Sequence, residues 1–275
     1  MVPKVVERNN PSAAQPQKPP LSYEELRDII DLSLWAGQLL LQHGAETDRI
    51  EETVHRIGTA LGCDWMDVLV SPNALVVTAT SHGEFRTKTR RVVALGLNMN
   101  VVAEVSSLSR RVEDGLCDRS QIRSELERIG KARRLYNRWL VVAAAALSCA
   151  AFSRIFGGDW NVFAVTLTAS AIAMVVRQEL QRQHFNPLVI VVGTAFTAGL
   201  IASSADIFDL SPQPQIAIVA SSLMLVPGVQ LINAVEDLIK GHVVTAIVRA
   251  TLGTLILSGI ALGLLLALAV TGAQL

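Results

Sequence analysis

One amide and four ionisable side chains sit where an apolar chain does not ordinarily carry them. Asn233, Glu236, Asp237, Lys240 and Arg249 belong to the run LVPGVQLINAVEDLIKGHVVTAIVR, residues 225 to 249, which is otherwise apolar enough for a membrane. Inside a bilayer such groups are costly and mark paths for substrates, ions or protons. Pro227-Gly228 interrupts the same run. Proline removes a helix hydrogen bond and crowds the preceding turn, so this dipeptide predicts a kink or break. Broken helices at membrane depth are tolerated only beside protein or a wet cavity. The half-helix that follows a break would present free N–H groups, which suit a carboxylate. Two readings fit: a Pro-kinked packing helix ending in a charged turn, and a site on a transport path. Arg249 lies about two turns into the last apolar run, where it could snorkel to the interface or pair with Glu236 or Asp237.

A second dense set, Gly44-Ala45-Glu46-Thr47-Asp48-Arg49-Ile50-Glu51, falls at a turn between two amphipathic segments. Gly44 is a natural helix stop, and Glu46 and Asp48 favour the start of the next helix. Both signs of charge crowd that start, which adds a binding or coupling role to the capping one. The five histidines show no ligand spacing, His43 with Glu46 being one weak pair, and no metal site is expected. No G-x-S-x-G elbow, P-loop or G-x-G-x-x-G is present, so hydrolase, NTPase and dinucleotide chemistry have no motif, and neither enzyme activity nor a cofactor is expected.

These sets need two kinds of scaffold. Of the 48 charged residues in this 275-residue chain only 11 lie beyond Arg138, so a polar half precedes a lipid-soluble one. Net charge is zero, with no basic field for nucleic acid. Cys63, Cys117 and Cys149 are scattered and read as free thiols in a reducing compartment. The N-terminus lacks a signal-peptide pattern, which keeps the polar half on the cytoplasmic side.

Residues 1–20, rich in Pro, Gln, Asn and Ser, read as a disordered tail. Ser22-x-x-Glu25 is a capping box, followed at helical spacing by Leu26, Ile29, Ile30 and Leu34. Ile50, Val54, Ile57 and Leu61 mark a second helix ending at Gly62. Residues 65–70, 74–80 and 84–90 alternate with period two and predict three strands, the last two a hairpin. Helical spacing returns over 101–112 and around Ile122, Leu126 and Ile129. Residues 21–135 are thus expected to form an α+β domain. Residues 136–275 are expected to form an all-α bundle of five transmembrane helices, at 139–156, 160–176, 187–205, 215–232 and 242–270, each near the 17 to 25 residues or so that a bilayer requires. The pair Gly259-x-x-x-Gly263 allows close helix approach, as small residues in membrane helices often do.

Loop charges orient these spans. Asp159, Asp206 and Asp209 fall in connections without Lys or Arg, whereas the alternate connections carry Arg177 and Arg182, then Lys240. With Lys131, Arg133, Arg134 and Arg138 before the first span, the positive-inside rule places the N-terminal domain in the cytoplasm and the C-terminus outside.

Residues 44–62 (GAETDRIEETVHRIGTALG), Asn100 with VVAEVSSLSRRVEDG, and residues 225–249 together resemble the threonine/serine exporter family in its N-terminal domain form, over residues 21 to 270. The resemblance implies a multi-pass secondary transporter of the cytoplasmic (inner) membrane that exports small carboxylate-bearing metabolites. Threonine and serine are the substrates of the family, and its two-subunit branch is linked to succinate export. Fused members carry a second, smaller membrane half, whereas this chain stops at Leu275 and resembles the large subunit of the split form. A separate small membrane subunit is therefore implied as partner, and homo-oligomerisation is left open. On this reading the substrate carboxylate is held near Pro227 and Gly228, and Asn233, Glu236, Asp237 and Arg249 line or gate the path. Glu236 or Asp237 carries a coupling proton, and Gly44, Glu46, Thr47, Arg49 and Glu51 couple the cytoplasmic domain to the entrance. The alternative is a membrane-anchored sensing or interaction protein whose cytoplasmic domain carries the function.

Overall fold

A computed structural model describes residues 18–92, 96–131 and 136–273, which fall into two compact units, one up to Lys131 and one beyond it. The chain is mostly helical, with one three-stranded sheet.

The first unit is built on α1 (Tyr23–Gln42). Its start is the expected capping box: the Ser22 Oγ accepts from the Glu25 amide at 3.3 Å, and the Glu25 carboxylate accepts from the Ser22 amide at 3.0 Å. Ile29, Ile30, Leu32, Leu34 and Leu40 are fully buried, so this helix is apolar on more than one face. The reason is that α2 (Thr47–Ala60), α3 (Met99–Glu113), α4 (Arg119–Gly130) and the sheet all pack on it. The strands β1 (Trp65–Ser71), β2 (Ala74–Ser81) and β3 (Glu84–Arg91) form an antiparallel meander in the order β1-β2-β3. Both connections are two-residue turns, so the expected single hairpin is a pair of them.

Burial alternates along the sheet as period two requires. Leu75, Val77 and Ala79 of β2 face the core, opposite Arg90, Lys88 and Arg86 of β3. Those three cations meet α1: Arg86 stacks over the Tyr23 ring, Lys88 pairs with Asp31, and Arg90 donates to the Gln38 side-chain oxygen at 3.1 Å. Their aliphatic stems lie along the apolar face while the charges reach its rim. Of the expected disordered tail, residues 1–17 lie outside the described residues, and Lys18 donates to the backbone oxygens of Thr59 and Cys63 at 2.6 and 2.9 Å. Burial pushes the Cys63 thiol up to about 11.

In the second unit large side chains face outward and small ones inward. Leu140, Leu147, Phe152, Ile172, Leu262 and Leu265 are exposed, whereas Ala150, Ala169, Ala173, Ala195, Ala198, Ala202 and Ala217 are fully buried. That inversion suits a lipid surround, where helices associate through close packing rather than through burial from water. Four helices are long and apolar enough to cross a membrane, or five if a bent pair counts as one. They are α5 (Arg138–Ile155), α6 (Trp160–Arg182), α7 (Pro187–Ala202) continued by the short α8 (Ser204–Ile207), and α11 (Val243–Thr271). The bent pair is α9 (Gln215–Ser222), tightened by a 3-10 turn Leu223–Leu225, and α10 (Gly228–Ile239).

Three expected spans are corrected. The one at 160–176 runs on to Arg182 because Arg-Gln-Glu-Leu-Gln-Arg propagates a helix well after the apolar run ends, so Arg177 is in α6 and not in a loop. The one at 187–205 breaks at Ser203, whose hydroxyl donates to the Gly199 carbonyl at 2.8 Å. The one at 215–232 is broken at Pro227-Gly228 as expected, with a bend of 63°, but its second half continues to Ile239.

The Gly259–Gly263 pair marks a close approach of α11 to α7. A Cβ on Gly263 would lie 2.5 Å from the Val192 carbonyl oxygen and 2.9 Å from the Phe196 amide nitrogen, so this contact is backbone on backbone.

Candidate functional site

The break falls where the sequence predicts it. Val226 is extended, and Pro227 (φ −80°, ψ 55°) precedes α10 without a side-chain cap. Helical bonding resumes with the Leu231 amide donating to the Pro227 carbonyl at 3.1 Å. Because α10 extends to Ile239, Asn233, Glu236 and Asp237 ride on this half-helix and do not trail behind it. Asn233 and Asp237 are one turn apart, on the same side.

A tight turn ends α10: the amides of Gly241 (φ 89°) and His242 donate to the Leu238 and Asp237 carbonyls at 3.2 and 2.8 Å. It folds α11 back along α10. This hairpin decides the fate of the charges. Asp237 is fully buried and pairs with Arg249, Nη1 to Oδ2 3.0 Å, whose side chain is 15% exposed. Glu236 turns the other way and pairs with Lys240 at 2.9 Å, both partly exposed. Of the two fates open to Arg249, the structure takes pairing, with Asp237 as a partner. Removing a charge pair from water is costly, and a pair held at 3.0 Å recovers that cost only when both partners stay.

The candidates of the 44–51 motif lie in the first unit. Gly44 (φ 86°) follows the last turn of α1 and adopts the left-handed conformation that glycine accepts without strain. The Ala45 amide donates to the Leu40 carbonyl at 3.0 Å, closing the same kind of turn as at Gly241. Glu46 pairs with Arg49 at 3.0 Å across one helical turn, Thr47 is fully buried, and Glu51 is half-buried. The amides of Gly96 and Asn98 donate to the Gln42 and His43 carbonyls at 2.7 and 3.2 Å. Asn98 in turn caps α3, its side-chain oxygen accepting from Asn100 and Val101. The 44–51 motif and the start of α3 are therefore stitched together, while the Pro227 to Arg249 set belongs to the other unit. Among the described residues no group of three or more His, Cys, Asp or Glu side chains is placed to hold a metal ion.

Arg177, expected in a loop, lies on α6 and reaches the break. It lies 17 residues beyond Trp160 on α6, about 26 Å along the helix, and its Nη1 donates to the Met224 carbonyl at 3.1 Å, just before the break. Hydropathy hides it because the apolar run stops one residue earlier; continuing helix propensity was the available signal.

Residues 31–271 match the family description "Putative threonine/serine exporter". The chain is 37% identical over 250 residues to the "Probable succinate transporter subunit YjjP" of Escherichia coli (strain K12), covering 90% of this chain and 97% of that one. It is likewise 37% identical to a protein of that name in Klebsiella aerogenes, covering 90% and 96%. The "Probable threonine/serine exporter" of Mycobacterium tuberculosis is 24% identical, and the match spans 88% of this chain but only 46% of that longer protein. No solved structure matches. With a family match across most of its length and relatives matched nearly end to end, the chain belongs to the threonine/serine exporter family.

Proposed function

We propose that this chain is the large subunit of a secondary transporter that exports small carboxylate-bearing metabolites, threonine and serine or a succinate-type dicarboxylate, across the cytoplasmic membrane. The observation that carries this reading is the buried Asp237–Arg249 pair on the hairpin that follows a 63° helix break. An anchor has no use for a fully buried acid and a broken helix, whereas a path for an anion and a proton uses both. Asp237 is the acid proposed to carry the coupling proton, with Arg249 as its switchable partner. Asn233 and Glu236 line the same half-helix, and the uncapped α10 start at Pro227-Gly228 faces the substrate carboxylate.

The printed names of the relatives support transport and a subunit role. A separate small membrane subunit is the proposed partner, because relatives called transporter subunits match this chain almost end to end while the Mycobacterium tuberculosis exporter is about twice as long. The alternating loop charges support a cytoplasmic first unit and an external C-terminus. In that frame Gly44, Glu46, Thr47, Arg49 and Glu51 form the coupling element. The test is efflux of preloaded labelled serine, threonine and succinate from cells making the chain with the small membrane subunit. Asp237→Asn should slow efflux at least tenfold per molecule of protein in the membrane, and wild-type efflux from that variant removes the acid from the mechanism.

A further inference from the structure

Most buried hydroxyls in the second unit are spoken for. Ser153, Thr194, Ser203 and Ser221 are fully buried, and each donates to a carbonyl three or four residues back in its own helix. Thr166 and Ser170 of α6 are equally buried, yet among the described residues neither hydroxyl has a hydrogen-bond partner. An unsatisfied buried hydroxyl is a cost to the fold, and two on one helix call for an explanation. Offsets of four and seven residues put Thr166, Ser170 and Arg177 on one stripe of α6, about 16 Å long. Thr166 shares that side with Val162 and Ala169, which pack with Ala217 and Ile218 of α9.

The stripe ends in uncompensated positive charge. Arg177 spends one N–H on the Met224 carbonyl, and among the described residues it meets no carboxylate. A guanidinium has five donors in a fork shaped for a carboxylate. Beside it, Gln178 donates to the Arg138 carbonyl at 3.2 Å, and both the Gln178 Oε1 and the Arg138 Nε are buried with no partner among the described residues. The Arg138 guanidinium itself stacks over the Trp139 ring, 5.1 Å from its centroid.

We propose that Arg177, Ser170 and Thr166 form the carboxylate-binding wall of the substrate path. Arg177 receives one carboxylate as a bidentate partner, and the two hydroxyls donate to the anion as it passes along α6. This assignment rests on the transport reading above and adds to it the residues that touch the substrate.

The test is uptake of labelled succinate and of labelled serine into inside-out vesicles from cells making the full chain with the small membrane subunit, read as KM and Vmax. Arg177→Gln should raise the KM of the compound that is carried at least tenfold, with Arg177→Lys recovering part of the loss. Thr166→Val and Ser170→Ala should each raise it about threefold while leaving membrane abundance and melting temperature equal or higher, since each removes a hydroxyl that bonds nothing among the described residues. That combination separates contact with substrate from a structural role, and it stands even where Arg177→Gln accumulates poorly. Wild-type KM in the hydroxyl variants and in Arg177→Lys overturns the binding wall. Vesicles with wild-type protein that move neither compound overturn the transport reading itself.

Discussion

The two units handle charge and size in opposite ways. In the first, the largest apolar side chains are inside, and ion pairs such as Arg119–Glu25, Arg128–Glu104 and Arg56–Glu113 sit at the surface, each with at least one partner well exposed. In the second, alanine, glycine, serine and threonine fill the interior, large apolar groups face out, and a charge pair is buried. Water makes surface charge cheap and weak, whereas lipid makes every interior polar group expensive. A polar group inside the second unit therefore carries far more information about function than one on the first.

The contrast can be broken most forcefully at the buried pair. Asp237→Ala leaves the Arg249 guanidinium without this partner and should cost about 3–5 kcal/mol. The double change Asp237→Leu with Arg249→Met should recover most of that, measured by thermal melting in detergent. No recovery would mean that the pair specifies the hairpin rather than merely neutralising it. Gly263→Val comes next: its side chain must displace the α7 backbone, so a loss of about 1–3 kcal/mol is expected in the same assay. Tolerance of valine would show that α7 and α11 can separate freely.

The smallest effect belongs to the exposed pairs. Hydrogen bonds from Ser22, then from Arg119, hold the Glu25 carboxylate down from 4.5 to about 2. Since the folded value lies below the ordinary one, the stabilisation is complete above about pH 4.5 and disappears as pH falls toward 2. Glu25→Gln should flatten acid unfolding of the full chain within that window, followed by circular dichroism. An unchanged acid profile would assign the acid sensitivity to other carboxylates.

Much of the scaffold was legible because single residues dictate it. Ser22 with Glu25 starts α1, Gly44 ends it, period-two burial sets the three strands, and Pro227 breaks a helix wherever it stands. What stayed hidden depends on tertiary placement. Hydropathy ends α6 before Arg177, yet the helix continues. That Asp237 meets Arg249 is decided by how the turn at Gly241 rotates α11 against α10, and no spacing rule gives that angle. Thr166 and Ser170 look like any other membrane-helix hydroxyls in sequence, and only the missing partners mark them out.

The three cations on the core-facing side of β3 bear on how the protein survives its own synthesis. Exposed strand edges are templates for joining other chains, and inward-pointing charge is one way to blunt them. A strand added beside β3 would have to lie against Arg86, Lys88 and Arg90, already committed to Tyr23, Asp31 and Gln38 of α1. The sheet precedes the apolar helices in the chain, so β3 is an edge blunted by charge before they are made, whereas β1, the other edge, carries no such row.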